Sequence, residues 1–262
     1  MSTVTHAVSG SRRTVSAPNR AWRRLLATEA KLFLREPIAI FWGVFFPLIL
    51  TVAMGIAGDR HDKHLGGLSL VDVYVPVAMA MVIAILSAQM LPVILASYRE
   101  KGILRRMSTT PVRPVALLGA DVAVNLSVVI CALVVIAIVG RLGWGVSLPR
   151  QGLGFALTLA LAAVAMLALG ALVASIAPTT RIAQGIGTLL FFPMMFFAGL
   201  WVPRQQMSSG LRQVGDFTPL GAATAAIQDT MQGHWPHLSH LGVLAVYAIV
   251  FSLAASRLFR WE

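Results

Sequence analysis

Charge is scarce in this sequence. Asp, Glu, Lys and Arg make up 12% of its 262 residues, about half the usual quarter of a soluble domain. Acid is scarcest, with 10 Asp and Glu against 21 Lys and Arg, for a net charge of +11. A chain so poor in charge cannot cover a water-facing surface. That excludes an ordinary soluble enzyme, a disordered polymer and a nucleic-acid-binding domain. Cysteine is almost absent. Cys131 stands alone in an apolar run, so no internal disulfide and no Cys pair for a metal can form, and it reads as a small packing residue. The three lysines, Lys31, Lys63 and Lys101, never follow a glycine. A P-loop needs that Gly-Lys step to cradle phosphate, so this chain does not bind ATP by that motif. Gly-x-Ser-x-Gly and His-Glu-x-x-His are missing too.

What the sequence has is apolar length. The hydrophobic fraction is 57%, and it falls in six long runs, which is the pattern of an all-α integral membrane protein. The runs are Ile38 to Gly58, Tyr74 to Tyr98, Pro114 to Gly140, Leu153 to Ala177, Ile182 to Trp201 and Leu241 to Leu258. The first is 21 residues without a charge, or roughly 31 Å of helix, one hydrocarbon thickness. Pro47, Pro92 and Pro193 lie inside runs, which membrane helices accommodate by local adjustment. Six spans put both termini on one side. That side would hold 15 of the 21 Lys and Arg, so both termini are expected in the cytoplasm. Trp144, Trp201 and Trp235 would mark the outer edge, and Trp22 and Trp261 the inner one.

Residues 1–19 carry no secretory signal and read as a disordered cytoplasmic tail ahead of one transmembrane domain, 20–262. Three segments are not spans. From Arg20 to Glu36, Trp22, Leu26, Ala30 and Phe33 recur at helical spacing opposite a basic stripe, which is an amphipathic interface helix ended by Pro37. Between the second and third spans, Arg99 to Pro114 reads REKGILRRMSTTPVRP. It is a short amphipathic helix with an apolar edge at Ile103, Leu104 and Met107, suited to docking. From Val202 to His240, Leu211, Val214, Phe217, Leu220 and Ala223 recur every three residues. This predicts half-buried helices that re-enter the outer face, broken near Pro219.

LFLREP at Leu32 to Pro37, REKGILRRMSTTP at Arg99 to Pro111 and FFPMMFFAGLWVP at Phe191 to Pro203, in that order around six spans, resemble the permease subunit of an ABC-2 type exporter. The likeness is nearest to the daunorubicin-resistance branch. Relatives often carry Gly-Thr-Leu-Glu where this chain has Gly-Ile-Leu-Arg at Gly102 to Arg105. The resemblance implies a plasma-membrane permease in which two chains pair, each docked on a separate ABC ATPase that holds ATP and magnesium. The permease itself would carry no cofactor and no catalytic residue. Coupling would fall to Arg99, Glu100, Lys101, Gly102, Ile103, Leu104 and Met107. Cargo would pass outward along the second and fifth spans, past Ser87, Gln89, Gln184, Thr188, Phe191, Phe192, Met195 and Phe196. A hydrophobic or amphipathic drug, antibiotic or lipid-like metabolite is the cargo the branch implies. Exporters of polysaccharide or teichoic acid share the architecture.

An ion-gradient-coupled transporter is the main alternative. It needs an ionisable group at depth, and Asp121 is the acidic candidate, expected near the cytoplasmic start of the third span where water reaches it. His234, His237 and His240 recur at i, i+3 and i+6. Pro236 interrupts them and only Asp229 is near, so solvated loop residues are expected rather than a metal site. His61 and His64 with Asp59 and Asp62 read the same way. Gly185 and Gly187 lack the strand and the third glycine of a nucleotide fingerprint and read as packing residues.

Overall fold

The computed structural model describes residues 18–58, 65, 67–102 and 114–258, and only the backbone of 18–25 and 114–117. Among the described residues it is helical throughout, with no strand. Helix α1 is Pro18–Phe33. Six helices are long and apolar enough to cross a membrane: α2 (Pro37–Ala57), α3 (Leu70–Glu100), α4 (Pro114–Trp144), α5 (Gly152–Ile176), α6 (Thr180–Ala198) and α9 (Leu238–Leu258). Between α6 and α9 lie a 3₁₀ turn (Arg204–Gln206), α7 (Ser209–Asp216) and α8 (Pro219–Gln232). We call the end that carries α1 and the α3–α4 and α5–α6 connections the near end, and the other the far end.

Apolar length fixes where the helices lie, and local chemistry fixes where they stop. Pro37 opens α2 at a position where its missing N–H matters least. Ser69 caps α3 through a reciprocal pair with Asp72, satisfying two orphan donors. Gly199, at φ 101°, closes α6 in a left-handed turn that a side chain would strain.

The centre of the bundle is α3. Val75, Met79, Ile83 and Leu86 are fully buried, and α3 packs against α2, α4, α5 and α6. The outer helices keep apolar faces for lipid or a partner, with Ile38, Phe45 and Ile56 on α2 and Leu142 on α4 exposed. Cys131 is exposed on that face of α4 rather than packed inside.

Two stretches depart from the α-helix. Phe41–Phe45 of α2 and Ala84–Met90 of α3 are π-helical. Each precedes a proline, Pro47 and Pro92. A π turn widens the helix and releases carbonyls, which suits a residue with no N–H to donate. The two wide segments meet, since a Cβ on Gly43 would lie 2.5 Å from Leu86 Cδ2.

The period-three set between α6 and α9 divides. In α7 and its end, Leu211, Val214 and Phe217 are exposed. In α8, Leu220 and Ala223 are fully buried, where the helix wedges among α3, α5, α6 and α9. Pro219 is the first residue of α8, so the break falls where the sequence places it.

Candidate functional site

The near end joins α3 to the α5–α6 connection. Arg99 and Glu100 close α3, and each reaches a different helix terminus. Arg99 Nη1 donates to the carbonyl of Ala177 at 3.2 Å, at the C-terminus of α5. Glu100 accepts from the Thr180 amide at 3.0 Å and from its hydroxyl at 3.1 Å, at the N-terminus of α6. Both charges suit their sites, because a helix C-terminus attracts a cation and an N-terminus an anion. Lys101 continues the turn, and Gly102 follows with φ 63°, a conformation that favours glycine. Ile103, Leu104 and Met107 lie outside the described residues.

Midway along the bundle, the π segment of α3 meets three helices. Asn125 of α4 donates its amide to the Leu86 carbonyl at 2.8 Å and faces the Ser87 hydroxyl at 3.5 Å. Gly170 of α5 lies so close that a Cβ there would be 2.2 Å from the Ser87 carbonyl oxygen. Gly187 of α6 lies against the backbone of Ala88 and Gln89. Thus Ser87 is enclosed by its own chain, while Gln89 is half-buried beside α6.

The α6 residues sort onto two faces. Phe191 and Met195 are buried against the bundle, and Phe196 is half-buried. Gln184, Gly185, Thr188 and Phe192 line an open groove of about 680 Å³ on the opposite face, with Arg181 and Pro193. The glycine pair is split in the same way, for Gly185 faces the groove and Gly187 the packing.

At the far end the sequence expected solvated histidines; His234 and His237 are exposed as expected, and His240 is the correction. The His240 side chain is 13% exposed and sits between Asp216 (Nε2 to Oδ1, 3.4 Å) and Asp229 (Nδ1 to Oδ2, 3.8 Å). Buried Arg204 pairs with Asp216 and donates to the Phe197 carbonyl. These groups tie the 3₁₀ turn, α7, α8 and α9 together beside a polar cavity of about 610 Å³. Among the described residues no group of three or more His, Cys, Asp and Glu is placed to hold a metal. His61, His64, Asp59 and Asp62 lie outside the described residues.

Asp121 is a second correction. It stands in α4, but water does not reach it. Asp121 is 6% exposed, and its Oδ2 is buried without a hydrogen-bond partner. Beside it on α1, Glu29 is equally buried and accepts from the Tyr98 hydroxyl at 2.9 Å. Sequence reasoning missed Glu29 and the Arg204–Asp216 pair. Glu29 had one signal, a lone acid on the otherwise basic and apolar α1.

Comparison with known proteins bears on the whole arrangement. Over 105 residues the chain is 31% identical to Nodulation protein J of Rhizobium leguminosarum bv. viciae, covering 39% of this chain. The match spans 40% of that relative's length. The sequence profile of the ABC-2 type transporters matches residues 20–232. That stretch contains α1 from its third residue through α8, the near-end staple of Arg99 and Glu100, and five of the six spans. The chain belongs to the ABC-2 type transporter family.

Proposed function

We propose that this chain is the transmembrane permease subunit of an ATP-driven exporter that moves a hydrophobic or amphipathic cargo outward. As a multi-pass member of the ABC-2 family it is the permease component, and the family implies an ABC ATPase as partner. The chain docks that ATPase through the segment that starts at Arg99, pairs with a second copy of itself in the plasma membrane, and keeps both termini in the cytoplasm. ATP and magnesium belong to the partner.

The observation that carries this reading is the staple at the near end. A push on the segment after Gly102 reaches Glu100 and Arg99 first, and those two side chains hold the ends of α6 and α5. Movement of a docked motor is thereby passed to three spans at once. The groove on α6, with Arg181, Gln184, Thr188 and Phe192, supports an amphipathic cargo, because it offers three polar side chains beside an aromatic ring.

Co-purification from native membranes tests the reading. The expected result is a stoichiometric chain that carries a P-loop. A permease that purifies alone and transports on an ion gradient without ATP overturns it. Replacing Gly102 and Leu104 with Glu is expected to leave the chain in the membrane and to uncouple ATP hydrolysis from transport. Normal coupling in that variant removes the docking assignment.

A further inference from the structure

Two carboxyl groups at the near end are buried, and among the described residues no cation pairs with either. Glu29 on α1 and Asp121 on α4 are each 6% exposed. Asp121 Oδ2 has no hydrogen-bond partner. Glu29 and Asp121 lie within electrostatic reach of each other and of the Tyr98 hydroxyl. Among the described residues, no ion pair involves either acid. Among the described residues the charged groups around them are few. Lys31 on α1 and Arg35 and Glu36 in the turn after it are exposed. On α3, Arg99 donates to Ala177, and Tyr98 donates to Glu29.

An ionised carboxylate out of water and without a counter-charge is strongly disfavoured, so such a group takes up a proton instead. Two acids sharing one site sharpen the effect, since the second charge repels the first. The proton does not enter from the motor or the cargo. It is held where α1 lies on α3 and α4.

We propose that Glu29 and Asp121 form a proton-binding site that keeps one proton at neutral pH and latches α1 to α3 and α4. Loss of the proton leaves two like charges in a dry contact, draws in water and loosens α1. The latch lies close to Arg99 and Glu100, so the loosened state reaches the same end of the bundle that the staple controls. This goes beyond the proposed function, and it holds or fails whether or not an ATPase is bound.

The test uses the full chain, with whatever subunits accompany it, in nanodiscs of neutral lipid. Infrared difference spectra across pH report the carbonyl stretch of a protonated carboxyl. The expected band is present at neutral pH and titrates away as pH rises, and in both Asp121→Asn and Glu29→Gln it titrates at lower pH or is lost. Both changes conserve shape, so either variant alone suffices if the other fails to fold. Hydrogen exchange of residues 26–36, corrected for the intrinsic pH dependence, reports the latch. Protection is expected to fall about tenfold, roughly the effect of one unit of proton affinity, across the same pH range in the wild type, and to persist in Asp121→Asn. Absence of the band at neutral pH, a titration in both variants unchanged from the wild type, or protection that ignores pH overturns the proposal.

Discussion

Glu100 takes two hydrogen bonds from Thr180, one from its amide and one from its hydroxyl, so the last residue of α3 caps the first turn of α6. A cap from another helix does what a local one does, and it also fixes the two helices end to end. Glu100→Ala is expected to remove roughly 1 kcal/mol of stability, the size of a lost helix cap. Transport per ATP should fall by more than thermal stability does. Thr180→Val, which keeps the amide bond, should show a smaller loss of both. Paired measurements of melting temperature and coupling ratio check this.

Gly170 and Gly185 make a matched pair of opposites. A methyl at Gly170 would meet the Ser87 carbonyl, and one at Gly185 meets nothing within 4 Å. Gly170→Ala should therefore destabilise the chain by about 1–3 kcal/mol through overpacking against backbone. Gly185→Ala should be nearly neutral in detergent. Thermal unfolding of the two variants side by side decides it.

Asn125 donates across to a carbonyl of the π segment. Asn125→Leu keeps bulk but strips that donor from the Leu86 oxygen. Interhelical polar contacts in membranes average about 0.6 kcal/mol, with a maximum near 1.7. The upper part of that range is expected here, because the contact is buried. Chemical denaturation in mixed micelles measures it. Asn125→Asp, which offers no amide donor, should be no better than Leu.

Burial raises the Glu29 carboxyl above its ordinary range, and the Tyr98 hydrogen bond pulls it part of the way back. The docked acid thus holds its proton more tightly than a freely solvated one. Docking of α1 is then favoured at low pH and declines as pH climbs from the ordinary Glu range through the elevated value. Tyr98→Phe deletes the opposing influence, so the decline should move to higher pH. Melting temperature followed against pH in the two forms reads the shift.

Much of this molecule was legible because a membrane asks for apolar length before anything else. The runs Ile38 to Gly58 and Leu153 to Ala177 became helices Pro37–Ala57 and Gly152–Ile176, each within a residue. What the runs could not say is which side of each helix faces the protein. In water a core face is apolar and an outer face polar, so the sequence shows the difference. In lipid both are apolar, and α4 carries Asp121 and Asn125 inward and Cys131 outward with no periodicity to announce it. The same blindness set Phe191 beside Phe192 as equals, although one is buried and the other lines the groove. His240 was misplaced for a different reason. Its partners Asp216 and Asp229 come from two other helices, and only the path of the chain brings them together.

The π segment of α3 carries its extra residue at Ala84–Met90, between the staple at Glu100 and the outer half that begins near Tyr74. A surplus residue of that kind can be handed along a helix by trading one hydrogen bond at a time, without melting the rod. The near half of α3, stapled to α5 and α6, and the far half, capped by Ser69 and Asp72, are therefore joined through a widened turn rather than one unbroken α-helix. Gly43, Gly170 and Gly187 let α2, α5 and α6 close on this turn from three sides, and Asn125 ties it to α4.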